Sequence, residues 1–333
     1  MSWKVLVLPA AINSAPGRAR AILSDAGCTL IEAEKYGPVT SAEVLAQLDG
    51  IDAVLASTDQ YNATVFDSPR AASLKIISRW GVGYDAIDVP AATRHGIVIA
   101  YTPGLLDNAV ADYAMTLLCG LARRLHDGYL AMAQNRWAPA WGSDISGRTL
   151  GLVGCGRIGQ AVARRARGFD MHLLAYDIAP NADAEKLGVE FVPLDELLAR
   201  SDFVSLHVAL TPQTRGLIGE AQLRKMKPGA CLINTARGAI LDEVALVRAL
   251  HEKWIAGAAL DAVVVEPLPA DHPFRTTPNL LMTPHQASMG VATGERVSDT
   301  AAQAIADLKD GRAPQFVVNP AVLQSPALRA KLR

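Results

Sequence analysis

TLGLVGCGRIGQAVARRARGF, residues 149–169, runs from a short apolar segment through three glycines into a helical pattern. The glycines stand at Gly154, Gly156 and Gly159, a G-x-G-x-x-G spacing that by itself occurs in many turns. Its setting makes it specific, because it closes a strand and opens a helix, where free backbone N–H groups and the helix dipole can hold a pyrophosphate. Gly154 then permits the tight turn, Gly156 lets backbone approach phosphate, and Gly159 lets helix and strand pack closely, with Arg157 and Ile158 in the first helical turn. Asp177 ends the next apolar run, MHLLAYD (171–177), about 20 residues on. A carboxylate there accepts the adenosine ribose hydroxyls, and the following Ile178-Ala179-Pro180-Asn181 offers no cation for a 2′-phosphate. The expected cofactor is therefore NAD rather than NADP.

Working outward, DFVSLH (202–207), GACLINTA (229–236), IAGAALDA (255–262) and NLLMTP (279–284) continue the series as nearly unbroken apolar runs. Such runs suit parallel strands buried on both faces, so a doubly wound nucleotide-binding domain is expected. On the N-terminal side, WKVLVL, CTLIEA, AVLAS, LKIISR and GIVIA alternate with helical patterns such as PGRARAILSDAG and SAEVLAQLDG. That alternation gives a second α/β domain with its own parallel sheet. A long helical stretch from about Asn108 to Gln134, apolar at Ala109, Tyr113, Leu117 and Leu121, reads as a connector between the two. A last helical pattern, about Val291 to Asp310, is expected to return to the first domain and make it discontinuous.

At 333 residues the chain is long enough for two domains. Lys plus Arg (32) nearly cancel Asp plus Glu (33), with no block of like charge, which argues against nucleic acid as a partner. The opening MSWKVLVLPAAINSAPG has a very short apolar run broken by Pro9, a first strand rather than a signal peptide, and no segment is long enough to cross a bilayer. Cys28, Cys119, Cys155 and Cys231 lie far apart without a C-x-x-C pair, so reduced thiols, no metal site and a cytoplasmic location are expected.

Reduction of a carbonyl beside a carboxylate needs a cation, a proton source and a hydride donor held close. Arg237 follows the strand CLINTA, at the carboxyl edge where open α/β sheets bind ligands, and its planar guanidinium suits a carboxylate. An exposed Arg in a surface turn is the bland alternative. His285 follows LLMTP at another strand end, and an imidazole beside a carboxylate can be held protonated near neutral pH. Glu266, in VVVEPLP, is a candidate for that carboxylate, although spacing alone does not show that the two meet. His207 also ends a strand and can line the cofactor pocket. His95, His126, His172, His251 and His272 are read as helix or loop histidines without a matching carboxylate.

Six ordered segments carry a family resemblance: RWGVGYDAIDVPAATRHGI (79–97), GLVGCGRIGQAVARRARGF (151–169), SLHVALTPQTRGLIG (205–219), MKPGACLINTARGAILDEVALVRAL (226–250), AGAALDAVVVEPLP (256–269) and NLLMTPHQAS (279–288). Together they resemble the D-isomer-specific 2-hydroxyacid dehydrogenases, over roughly residues 50–310. The resemblance implies two Rossmann-like domains: a flavodoxin-like substrate domain of residues 1–101 and 296–333, and an NAD-binding domain of residues 102–295. It implies that Arg237 binds the substrate carboxylate and carbonyl, that His285 is general acid and base, and that Glu266 is its hydrogen-bond partner. It places Asp261 near the nicotinamide carboxamide, Thr235 and Ala236 along the cofactor, and His207 to Pro212 around the adenine. In the first domain it assigns backbone N–H groups of Val82 and Gly83 to the substrate carboxylate. A homodimer is implied, with Trp137 and Trp141 in the contact segment.

Departures from the family pattern bear on the substrate. Val263 stands where many relatives have an aromatic residue, and Leu106 replaces a polar residue. Relatives acting on 3-phosphoglycerate usually carry an Arg near the position of Ala56, absent here, although Arg79 remains as a phosphate or carboxylate partner or as a structural cation beside Asp85. One fewer fixed cation facing a dianion weakens binding and orientation, so a short 2-keto acid of the glyoxylate or hydroxypyruvate type is expected ahead of phosphoglycerate. Asp59 and Tyr61, in the loop after the strand that holds Ala56, are candidates to face it, with solvent-exposed loop residues as the default view. Formate oxidation on this scaffold is disfavoured because Glu266 is an acid, whereas phosphite is not excluded. A dinucleotide-sensing protein of the corepressor type is the reading from another class.

Overall fold

Twelve strands form in the computed structural model, which describes residues 2–333. They are β1 Trp3–Val7, β2 Cys28–Glu32, β3 Ala53–Ala56, β4 Ile76–Arg79, β5 Val98–Ala100, β6 Thr149–Val153, β7 His172–Tyr176, β8 Val189–Phe191, β9 Phe203–Leu206, β10 Cys231–Asn234, β11 Gly257–Leu260 and β12 Leu280–Met282. The chain divides into two units, Met1–Leu106 with Met289–Arg333, and Asp107–Ser288. Each contains one sheet, and every strand pairing in both is parallel.

In the first unit the order is β2-β1-β3-β4-β5, the flavodoxin-like winding. Alternation along the strands loads both faces: Leu6, Leu8, Val54 and Ala56 enter one core, Val5, Val7, Ala53 and Leu55 the other. The second core is completed by Val297, Ala301, Ala302, Ile305 and Leu308 of the C-terminal helix Val291–Lys309, which belongs to this unit.

The second unit has the order β12-β11-β10-β9-β6-β7-β8. Six of these strands follow the Rossmann winding, and the direction of progression reverses between β6 and β9, the switch point where ligands bind. Leu150, Leu152, Leu173, Phe203 and Ile233 pack on one face, and Val153, Leu174, Val204, Leu206 and Leu232 on the other. The fold is thus two parallel-sheet α/β domains, as the strand patterns indicate.

Two local readings change. The stretch from Asn108 is two helices, Asp107–Ala122 and Leu125–Ala133, separated at Arg124, which takes a left-handed conformation. The first ends because the chain passes over it: the Ser143 N–H donates to the Ala122 carbonyl at 2.8 Å. Gly142 is required there, since a Cβ would lie 2.3 Å from that oxygen. Nor is this helix a connector; Ala111, Ala114, Leu117 and Leu118 are part of the second unit's core. The strand β8 also has no counterpart in the sequence reading.

Candidate active site

The glycine loop has the geometry its spacing predicts. Gly154 sits at φ +95°, and a Cβ on it would lie 2.7 Å from backbone atoms of His207 and Val208, so the turns after β6 and β9 touch at the switch point. A Cβ on Gly159 would lie 2.3 Å from the Gly154 carbonyl oxygen. Gly156 differs: a Cβ there meets no atom within 4 Å. Its missing side chain leaves room instead of admitting neighbouring protein. Gly156 is also the N-cap of the helix Arg157–Ala166 and provides no side-chain cap, which leaves the first-turn amides without a side-chain acceptor from that position. This open cradle fits a dinucleotide pyrophosphate.

Asp177 is already oriented by the loop. Its Oδ2 accepts the Cys155 N–H at 2.7 Å and its Oδ1 the Ala179 N–H at 3.1 Å, leaving further acceptor capacity on both oxygens at the end of β7. Arg157 is largely exposed and pairs with Asp107 at 2.9 Å, while the Ile158 side chain packs against the core. Burial pushes the His207 imidazole down to about 4, so it is neutral at pH 7, and its Nε2 shares a 2.9 Å hydrogen bond with the Ser205 hydroxyl. Pro212 is exposed in the loop that follows. The Thr235 hydroxyl, just beyond β10, is buried without a hydrogen-bond partner among the described residues. An orphaned donor and acceptor at a sheet's carboxyl edge fits a site completed by a bound molecule.

Three loops leave β10, β11 and β12 side by side, because Asn234 pairs with Leu260 and Leu260 with Met282 in register. From β10, buried Asn234 shapes the turn: its Oδ1 accepts the Ala236 N–H at 3.0 Å, and its Nδ2 donates to the Arg237 carbonyl at 2.9 Å. The Arg237 Nη1 donates to the Ala236 carbonyl at 2.8 Å. Asp261, at the end of β11 and only 2% exposed, accepts the Thr283 hydroxyl at 2.6 Å and the Gln286 and Ala287 N–H groups at 2.9 and 2.8 Å. Burial pushes its carboxyl up against those three bonds and the charge of His285. The segment it clamps holds His285 in a left-handed conformation, φ +52°.

His285 and Glu266 meet: Nδ1 lies 2.8 Å from Oε2. The other Glu266 oxygen accepts the Val263 N–H at 3.2 Å. Burial alone would raise the Glu266 carboxyl, but the His285 hydrogen bond and charge, the Val263 N–H and the Arg237 charge bring it below its ordinary value. It is therefore ionised at neutral pH. With Nδ1 held by Glu266, the imidazole has Nε2 left for another partner.

In the first unit, the turn after β4 is stitched from below. Thr102 accepts the Gly81 N–H on its hydroxyl at 3.0 Å, and Arg79 donates from Nε to the Gly83 carbonyl at 3.0 Å and from Nη1 to the Trp80 carbonyl. Arg79 is 7% exposed, and its charge opposes the burial that pushes the Asp59 carboxyl up to about 6. Neither the Val82 nor the Gly83 N–H has a partner among the described residues. Asp59 and Tyr61 are buried here, not loop residues in solvent.

Sequence reading missed Asn234, whose signal is an amide ending an apolar strand, and Thr283 and Gln286, which flank His285. His95 and His272, read as helix or loop histidines without both a matching carboxylate and a strand edge, do lie off the strand ends, but each has a carboxylate: Asp67 is 2.7 Å from His95 and Glu243 3.4 Å from His272. All four cysteines are free, and burial pushes Cys155 and Cys231 up to about 11, out of the reactive range. No group of His, Cys, Asp or Glu among the described residues is arranged to hold a metal ion.

Residues 115–287 match the family model of the D-isomer specific 2-hydroxyacid dehydrogenase NAD-binding domain. The chain belongs to this family. It is 44% identical over 295 residues to a glyoxylate reductase of Korarchaeum cryptofilum, covering 86% of this chain and 88% of that one. It superposes on the crystal structure of a glyoxylate reductase from Paecilomyes thermophila with a TM-score of 0.82 at 32% identity, covering 96% and 99% of the two chains. The apo D-lactate dehydrogenase of Escherichia coli gives 0.82 at 29% identity, over 95% and 99%. The protein is thus an oxidoreductase acting on CH–OH groups, with an NAD-binding domain in its second unit. No helix is long and apolar enough to cross a membrane.

Proposed function

We propose that this dehydrogenase reduces a short 2-keto acid of the glyoxylate or hydroxypyruvate type to the 2-hydroxy acid, reversibly. The observation that carries the reading is the His285–Glu266 pair, 2.8 Å apart, with the charge of Arg237 bearing on Glu266 at the same sheet edge. The first unit is the substrate domain in this reading.

NAD(H), when bound, would supply or accept the hydride, and the Gly154–Gly159 cradle, Asp177, Thr235 and Ala236 would hold it. Arg237 meets the substrate carboxylate and polarises the carbonyl. As hydride reaches the carbonyl carbon, His285 Nε2 gives its proton to the oxygen; in oxidation it takes the hydroxyl proton. Ionised Glu266 holds the ring by its 2.8 Å contact with Nδ1, which leaves Nε2 for the substrate. Arg79 is occupied with the Trp80 and Gly83 carbonyls, which supports a small substrate over a phosphorylated one.

Incubating the protein with NADH and a panel of 2-keto acids, followed by loss of NADH absorbance, tests this. Turnover is expected with glyoxylate and hydroxypyruvate and weak or absent with 3-phosphohydroxypyruvate. The reverse ranking would favour phosphoglycerate, and tight NADH binding with no turnover would favour a sensor.

The same reading includes a homodimer in the cytoplasm. Leu125, Tyr129, Trp137 and Trp141 are exposed in one stretch of the second unit, the tryptophans at 86% and 97%, which suits burial against a second copy. Sedimentation across a concentration series tests it, and a monomer at all concentrations would remove it.

A further inference from the structure

In the loop that carries Glu266, Val263 packs against the core, but Val264 and Val265, the two residues that lead into Glu266, both face solvent. Polar contacts add to the hold on this end. Glu243, the first residue of the helix Glu243–His251, accepts the Val264 N–H on Oε1 at 2.8 Å. Its Oε2 lies 3.4 Å from Nε2 of His272, near the far end of the same loop. His272 Nδ1 accepts the Phe274 N–H at 3.2 Å, which leaves the ring proton of the neutral imidazole on Nε2, facing Glu243. Phe274 is fully buried and its ring packs edge-on against His272 at 4.7 Å, so this anchor is seated in the core. The helix does not need Glu243 as its cap, because the Asp242 side chain accepts the Ala245 N–H.

The strand-end turn of Arg237 abuts the loop at the same point. A Cβ on Gly238 would lie 2.1 Å from the Val263 carbonyl carbon and 2.4 Å from the Val264 nitrogen. Backbone therefore packs on backbone between the Arg237 turn and the start of the Glu266 loop, and Glu243 latches the residue that makes this contact. We propose that Glu243 is a positioning residue: by tying Val264 and His272 it sets where the Glu266 carboxylate meets His285. This deepens the reading of Glu266 and His285 as the proton-handling pair and rests on it.

The test uses Glu243→Ala, Glu243→Gln and His272→Asn, each alone and combined with Glu266→Gln, with NADH titration as the check on folding. The first readout is the downfield proton resonance of His285 Nδ1–H, assigned by its loss in Glu266→Gln, and it needs no turnover. It should be lost or broadened in Glu243→Ala at unchanged NADH affinity. The second is kcat for 2-keto acid reduction, expected to fall about tenfold to 10²-fold, the scale of a small misplacement at a reacting centre. In the Glu266→Gln background Glu243→Ala should cost less than about twofold more, because the carboxylate it positions is already gone. Glu243→Gln keeps an acceptor for Val264 and loses the His272 contact, so it should fall between the two, close to His272→Asn. If Glu243→Ala does not bind NADH, these milder variants carry the same comparison. A resonance and kcat left intact, or losses that simply multiply with Glu266→Gln, would overturn the proposal. Loss of the resonance in a protein that reduces no keto acid would keep the positioning role and sink the functional reading.

Discussion

The glycine loop and the His285–Glu266 pair lie at the carboxyl edge of one sheet, yet they are built in different ways. The loop is contiguous: six residues from Gly154 to Gly159 shape the cradle with backbone alone, and each glycine has a separate steric reason. That pair and the neighbouring Arg237 are assembled from three strand ends, and the three residues approach only because β10, β11 and β12 run parallel in fixed register. A locally encoded device can be read from a few residues. One encoded by register cannot, since its distances are set by a sheet that the sequence only implies.

The largest expected effect separates the two. Replacing His285 with Ala should lower kcat by about 10²- to 10⁴-fold, the usual worth of a positioned acid or base, while NADH affinity stays unchanged. Comparable losses in both would show that the two regions are not independent. Next come the glycines. Gly159→Ala forces a Cβ against the Gly154 carbonyl and should cost about 1–3 kcal/mol of stability in urea unfolding, with weaker NADH binding. Gly156→Ala meets open space, so stability should hold and only NADH affinity fall. Equal destabilisation by both would remove the distinction between packing and ligand approach.

A pH series sharpens the contrast further. His207, beside the glycine loop, has its imidazole pushed down to about 4, so the folded state resists protonation; stability is full above the unfolded value, about 6.5, and is lost as pH falls from there toward 4. Discounted for partial exposure, about 1–2 kcal/mol should disappear across that window in wild type and not in His207→Asn, by urea unfolding at several pH values. Glu266 is also shifted downward, which for a carboxyl favours the charged form, and its contribution should persist until pH falls below the ordinary carboxylate range. The smallest effect belongs to Asp177. Its replacement by Asn should weaken NADH binding by about tenfold and narrow the preference over NADPH, on the scale of one charge-assisted hydrogen bond lost. Equal use of NADPH by the wild type would contradict the ribose argument.

The same contrast governs what could be read in advance. Eleven of the twelve strands announce themselves as apolar runs, and the one missed, Val189–Phe191, is a three-residue edge strand with Glu190 at its centre. Helical spacing runs on through Arg124 because periodicity does not register a chain crossing from Ser143 that captures the Ala122 carbonyl. Gly154, Gly156, Gly159 and Asp177 were legible from physical reasoning alone. Glu266 and His285 were legible as partners only through ordered family segments. Asn234, Asp261 as a clamp and Glu243 needed coordinates, since each acts through a hydrogen bond to backbone that no spacing encodes.

The most direct check on the central claim is the configuration of the product. In the proposed reading, one sheet edge holds the carboxylate at Arg237 and the proton at His285, so a single face of the carbonyl meets the hydride. Reducing hydroxypyruvate with NADH and resolving the glycerate on a chiral column should give the D isomer alone. The L isomer, a racemate, or no glycerate from protein that binds NADH would contradict the account.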